Sequence, residues 1–166
     1  MTAPTFPLAM PVRLAVLHSI AEALRSMGPQ TGCYFQVTRE EDVTLDSRVL
    51  ADAKSLPAFV VQPAPGGTRE FQPANRMKET FPVLISGRVD ATGISDMARR
   101  ITAFELLVAD LERVLTIDIT RGGIAVDTRA QSPREPYVDP DPVNTVYIEQ
   151  PVDVILRRIY GTPEGS

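Results

Sequence analysis

The side chains best suited to nucleophilic or metal chemistry are scarce and scattered. His18 is the only histidine and Cys33 the only cysteine. Nucleophilic catalysis needs a Ser, Cys or Thr beside a base, yet His18 falls within a helical pattern and no Gly-x-Ser-x-Gly occurs. A lone cysteine permits neither an internal disulfide nor a zinc knuckle, so Cys33 reads as a small buried hydrophobe and His18 as a residue of a helix surface or core edge. Gly66-Gly67 and Gly122-Gly123 lack the Lys-Ser/Thr or the third spaced glycine of phosphate-binding loops and read as turns. Glu40-Glu41-Asp42 and Asp139-Pro140-Asp141 carry oxygen ligands suited to a hard cation, but neither has the spacing of a calcium loop. Adjacent acids on a polar stretch usually form a solvated face. The expectation is a non-enzymatic chain with no catalytic residue, no metal and no cofactor.

The chain has 166 residues, within the range of a single domain with one core, and we expect residues 1–10 and 161–166 to be flexible. Seventeen basic against twenty-one acidic residues leave a net charge of −4. That balance disfavours a general phosphate-binding surface. Arg99-Arg100 and Arg157-Arg158 are too sparse for a nucleic-acid stripe and have no aromatic ladder beside them. Met1 to Met10 has no positive residue and no unbroken apolar run, so it does not read as a signal peptide, and no stretch approaches the ~18 apolar residues of a membrane span. The cytoplasm is the expected compartment.

Periodicity gives the elements. Val12, Val16, Ile20, Leu24 and Met27, widened by Leu14 and Leu17, predict a helix from Pro11 to Met27, closed by Gly28 and Pro29. Cys33 to Leu45 changes to a period near two and predicts a strand or a hairpin; Leu56 to Gln62 predicts a second strand, buried on both faces or central. Ala64 to Lys78 has no apolar periodicity and reads as a long loop or extended arm, stiffened by Pro63, Pro65 and Pro73. Phe81 to Val89 alternates strictly, the clearest strand pattern of the chain. Met97, Ile101, Phe104, Val108, Leu111 and Leu115 predict the buried stripe of a second helix with Ser95 as N-cap. Turn residues at Gly122-Gly123, a short strand from Ile124 to Arg129, a proline-rich acidic loop from Ser132 to Asn144 and a strand from Thr145 to Tyr160 follow, with Pro151 marking an edge or a bulge. This order predicts an α+β fold: a mixed, mostly antiparallel sheet of four to five strands with two helices on one face.

The succession itself carries a resemblance. A helix reading Pro11-Val-Arg-Leu-Ala-Val-Leu-His-Ser-Ile-Ala-Glu-Ala-Leu is followed by strands with Tyr34, Val37 and Leu56-Pro-Ala-Phe-Val-Val. Then come Phe81-Pro-Val-Leu-Ile-Ser-Gly-Arg-Val, a long helix from Ile94 to Leu115, a Pro-rich loop with Tyr137, and Ile155-Leu-Arg-Arg-Ile-Tyr160. Over residues 10 to 160 this layout resembles the tail terminator, or tail completion, proteins of long-tailed bacteriophages, without a short diagnostic motif. The resemblance implies a ring, commonly a hexamer, that caps the tail tube, stops its polymerisation and meets the head–tail connector or neck. It implies residence in the virion at the head-proximal end of the tail after assembly in the host cytoplasm. Tube protein and neck protein would be partners, and genome DNA would pass through the bore without sequence-specific binding. Within the arm, Arg69, Glu70, Gln72, Arg76 and Lys78 are the candidate contacts to the tube or a neighbouring subunit. The alternatives are another neck or head-completion ring protein, or a small metal-dependent hydrolase using Asp139, Asp141 or Glu40 to Asp42.

Overall fold

Two long strands form the spine of a six-stranded sheet. In the computed structural model, which describes residues 11–46, 55–94, 98–135 and 145–159, strand β4 (Arg76–Asp90) pairs antiparallel with strand β6 (Thr145–Ile159) from Arg76↔Ile159 to Asp90↔Thr145. Around them lie β1 (Val43–Thr44), β2 (Ala58–Pro63), β3 (Thr68–Gln72) and β5 (Asp127–Ala130). The order is β1-β2-β4-β6-β5, with β3 also on β4, and β1–β2 is the only parallel pair among them. The fold is α+β with an open, mixed sheet.

Alternation along β4 decides which face is the core. Phe81, Val83 and Ile85 are buried and point to the same side as their β6 partners Val154, Val152 and Gln150. Helices α1 (Val12–Arg25) and α2 (Arg99–Ile117) cover that side, and Val16, Ile20 and Leu24 join Leu107, Leu111 and Val114 in one cluster with it. Helix α1 buries its expected stripe. It stops two residues before Met27, and Gly28 is extended at φ 169°, so the left-handed residue of this turn is Gly32 at φ 74°.

Helix α2 presents a rotated face. Ala103, Leu107, Asp110, Leu111, Val114 and Leu115 are buried, whereas Ile101 is 68% exposed and Phe104 and Val108 only line the rim of the core. Met97 and Ser95 lie outside the described residues, and Ala98 precedes the first helical residue. The rotation follows from Asp110, a fully buried carboxylate that a hydrophobic count treats as outward-facing. Its two oxygens accept the backbone N–H groups of Tyr34 (2.9 Å) and Phe35 (2.8 Å).

Those bonds also explain why no strand spans Cys33 to Asp42. Cys33, Phe35 and Val37 do alternate inward and pack on the core, but the segment bends at Tyr34 and Phe35 and makes no ladder, and only Val43–Thr44 joins the sheet. Its backbone is held by Asp110 and by the Val37 N–H donating to the Met27 carbonyl at 3.1 Å. The segment from Ala64 to Lys78 is likewise not a loop. It is mostly β-hairpin: β3 pairs with residues 76–80 of β4 around the turn Pro73-Ala74-Asn75, where Ala74 (φ 63°) and Asn75 (φ 56°) take left-handed conformations. Residues 124–126 precede β5, which starts at Asp127.

Pro151 marks neither an outer strand nor a break in the main ladder, because β6 lies between β4 and β5 and its register with β4 runs through Leu84↔Pro151. The pairing with β5 ends one residue away, at Ala130↔Val152. There the Gln131 N–H donates to the Pro151 carbonyl (2.9 Å), the half of a paired exchange that a proline can still make. The other half comes from a side chain: the Gln150 amide Nε2, fully buried, donates to the Gln131 carbonyl at 2.6 Å. Pro82 in β4 is placed by the same logic, opposite the gap between β2 and β3, with its carbonyl accepting the Ala64 N–H at 2.9 Å.

The end of α2 is closed by charge. The buried Arg121 guanidinium donates to the carbonyls of Leu115 (2.6 Å) and Asp118, two groups that the helix leaves unpaired. The Asp118 carboxylate accepts from the Thr120 hydroxyl (2.7 Å) and the Gly122 N–H (2.6 Å).

Two outcomes follow. Leu107→Ala should cost about 2–5 kcal/mol in denaturant unfolding, while Ile101→Ala should stay within about 0.5 kcal/mol of the parent. If the two losses were reversed, α2 would face the other way. The Thr120 hydroxyl, then the Gly122 N–H, hold the Asp118 carboxyl below its ordinary 3.8. A group lowered on folding stabilises the fold above its unfolded pKa, and that contribution disappears as pH falls through the folded value. Melting temperature should therefore drop as pH falls below about 4, and less steeply for Asp118→Asn than for the parent.

Candidate assembly site on the hairpin arm

Beyond the body of the sheet, β3, residues 76–80 of β4 and residues 155–159 of β6 continue as a three-stranded blade. The chain enters it from β2 through four residues, Ala64 to Gly67, set against Phe81 and Pro82 of β4. Gly67 (φ 98°) passes so close that a Cβ there would lie 2.5 Å from the Thr80 carbonyl oxygen and 2.8 Å from the Pro82 ring. Glycine is required at this crossing both by conformation and by space.

At the root of the blade stands Glu79, whose side chain is only 2% exposed. Three guanidinium groups converge on it: Arg158 of β6 at 2.6 Å, Arg13 of α1 at 3.3 Å and Arg69 of β3 at 3.6 Å. Arg13 also lies over the Phe81 ring, 4.3 Å from its centroid, an arrangement that lets a cation stay partly desolvated. A buried carboxylate with one partner is costly; with several, its lone pairs are satisfied and the elements that bring the partners are held in place. Glu79 thus ties the arm to the first helix and the last strand. Arg13, Arg69, Glu79, Thr68, Thr80 and the two glycines line a cleft of about 410 Å³ beside it.

All five residues expected at an interface are carried by the hairpin, but on different faces. Arg69 points to the helix side and belongs to the Glu79 cluster. Glu70 and Lys78 are cross-strand partners on the opposite face, with Arg157 of β6 next in the same row. Gln72 and Arg76 flank the turn. Every residue of β3 except the half-buried Gln72 is exposed. Glu79, Arg13 and Arg158 were missed by reading the sequence. Carrying the alternation of Phe81, Val83 and Ile85 backward to Met77 would have placed Glu79 inward, and a buried acid demands cations.

The carboxylates weighed as metal ligands are arranged otherwise. Glu40 to Asp42 form a short 3-10 turn in which Asp42 is buried and accepts the Ser55 hydroxyl; Asp139 and Asp141 lie outside the described residues. Among the described residues no three of His, Cys, Asp and Glu come together to hold a metal ion. Exposed His18 lines a shallow cleft with Arg25, Glu41 and Asp46, and half-buried Cys33 packs on the core. No described helix is long and apolar enough to cross a membrane. No protein-family model matches the chain, and no curated protein is detectably similar to it.

Glu79→Gln would leave three guanidinium groups around a neutral amide and should cost about 3–5 kcal/mol. Arg69→Ala, which removes a half-exposed partner, should cost no more than about 1 kcal/mol. Urea unfolding of both variants measures the difference; equal small losses would show that the cluster does not hold the arm.

Proposed function

We propose that this chain is a structural subunit of a bacteriophage tail. Copies form a ring, a hexamer by the resemblance, that caps the tail tube, ends its polymerisation and presents a surface to the neck or head. The observation that carries the proposal is the blade. A small domain has kept a three-stranded extension whose outer strand is exposed along both faces, and has anchored it with a buried charge cluster at the root. An extension with little to bury within its own chain is explained by a partner that buries it. The likeness in order of elements over residues 10 to 160 supplies the identity of that partner, the tube or a second copy.

The sheet adds support. Among the described residues helices cover one face only; the other carries half-buried Lys78, Thr80, Leu84, Ser86 and Tyr147 beside buried Ala58, Val60 and Ile155. A cap on a rotationally symmetric tube needs subunits joined head to tail by unlike surfaces, and among the described residues the sheet ends in two unlike strands, β1 and β5.

Replacing Gly66 to Asn75 with a short Gly-Ser linker removes β3 and its turn but almost no core, so the isolated domain should stay folded. Phage carrying that variant should make tails of uncontrolled length, or tails that fail to join heads. Tails of normal length and full infectivity would refute the assignment of the arm. Copurification of the parent with filled heads and not with tails would move the protein to a neck or head-completion ring.

A further inference from the structure

The net charge of −4 argues against a general phosphate-binding surface, but the charge is unevenly placed. Residues 68–80 and 155–159, which form the blade, carry five basic and two acidic side chains. The excess is sharpest at its root. Three guanidinium groups surround the single carboxylate of Glu79, so two positive charges are left over there.

Hydrogen bonding divides the three arginines. Arg158, only 10% exposed, donates to Glu79 Oε2 at 2.6 Å. Arg13 and Arg69 both approach the other oxygen, Oε1, at 3.3 Å and 3.6 Å, and neither makes a hydrogen bond among the described residues. At 3.6 Å the two groups attract without being hydrogen-bonded, and the Arg13 Nε is buried with no acceptor. Two like charges are thus held beside one oxygen while their donor forks go unused by the chain. Their placement is fixed from behind. The buried Phe81 ring carries the Arg13 guanidinium 4.3 Å from its centroid, and strand register sets Arg69 opposite Glu79. In front they are open: the Arg13 and Arg69 side chains are 43% and 54% exposed, so a dissolved ligand can reach both.

The two arginines and Glu79 line the cleft of about 410 Å³, where Gly66 and Gly67 put no side chain into the space. That volume suits a small molecule. We propose that the cleft binds a phosphate group, as inorganic phosphate or as the monoester of a small molecule, between the forks of Arg13 and Arg69. Charge makes the selection. A phosphate monoester carries about −1.5 to −2 at pH 7 and matches the excess of two, whereas a carboxylate would leave one cation unmatched. Its three acceptor oxygens suit two planar donor forks arriving from separate elements. Glu79 stays paired with Arg158 on the inner side, and the ligand takes the outer side of the other two. Bound there, it would join α1 to β3 through a second anion and stiffen the hairpin on the body of the domain. The site does not depend on the ring.

The test is calorimetric titration of the purified chain at constant ionic strength and about pH 7.5, above the second pKa of a phosphate monoester at about 6. Inorganic phosphate and glycerol phosphate are the probes and acetate is the singly charged control; melting temperature with each is the second readout. Saturable binding of inorganic phosphate is expected, at least about tenfold tighter than acetate, with a matching rise in melting temperature. Binding of glycerol phosphate as well would make the site one for esters, and binding of the free ion alone a closed ion site. Arg13→Gln and Arg69→Gln should each weaken it about tenfold or more, Arg69→Lys should recover only part, and Arg100→Gln, which removes the same charge from α2, should leave it unchanged. Equal affinity for phosphate and acetate, or as large a loss from Arg100→Gln as from Arg69→Gln, would overturn the site. So would binding of a DNA duplex with neither probe bound, or no saturable effect of either probe in both measurements.

Discussion

A single carboxylate with 2% exposure, Glu79, meets three arginines drawn from the first helix, the hairpin and the last strand. Taking a charge out of water costs several kcal/mol, and the chain recovers it only if all the partners arrive together. The requirement links segments far apart in sequence: the start of α1, strand β3, and the end of β6. It also fixes the direction in which the hairpin leaves the sheet. Without the cluster, β3 would be held to the blade by its pairing with β4 alone, a strand of exposed side chains at the rim of the sheet.

The same economy recurs in the sheet. Two prolines lie within its longest strands, and each sits where its missing N–H faces no ladder partner or one already served by another donor. At Pro82 the chain leaves β2 for β3. At Pro151 the buried Gln150 amide stands in for the absent donor. The β4–β6 ladder therefore runs unbroken from the core into the blade, so the blade is a continuation of the rigid sheet.

Elements that bury one face were legible in the sequence. Helix α1, β4 and β6 declare themselves by period because each separates core from solvent. The errors share a cause: hydrophobic alternation reports burial and is silent about pairing. Cys33, Phe35 and Val37 alternate and yet form no ladder, since the Asp110 carboxylate serves that backbone. Thr68 to Gln72 form a ladder and yet do not alternate, since neither face is covered. Asp110 misled twice, by rotating the buried face of α2 and by taking the place of a strand partner. The candidate interface residues Arg69, Glu70, Gln72, Arg76 and Lys78 were chosen through the absence of a pattern, which located the hairpin but gave neither its pairing nor the buried acid behind it.

We propose the blade as the surface on which identical subunits assemble around an axis. Electron microscopy of negatively stained protein, alone and bound to tail tubes, addresses it most directly. Closed rings with a central channel, of one rotational symmetry, seated at one end of the tube and continuous with its wall, are the expected result. Isolated particles of single-subunit size at every concentration, with bare tube ends, would contradict it.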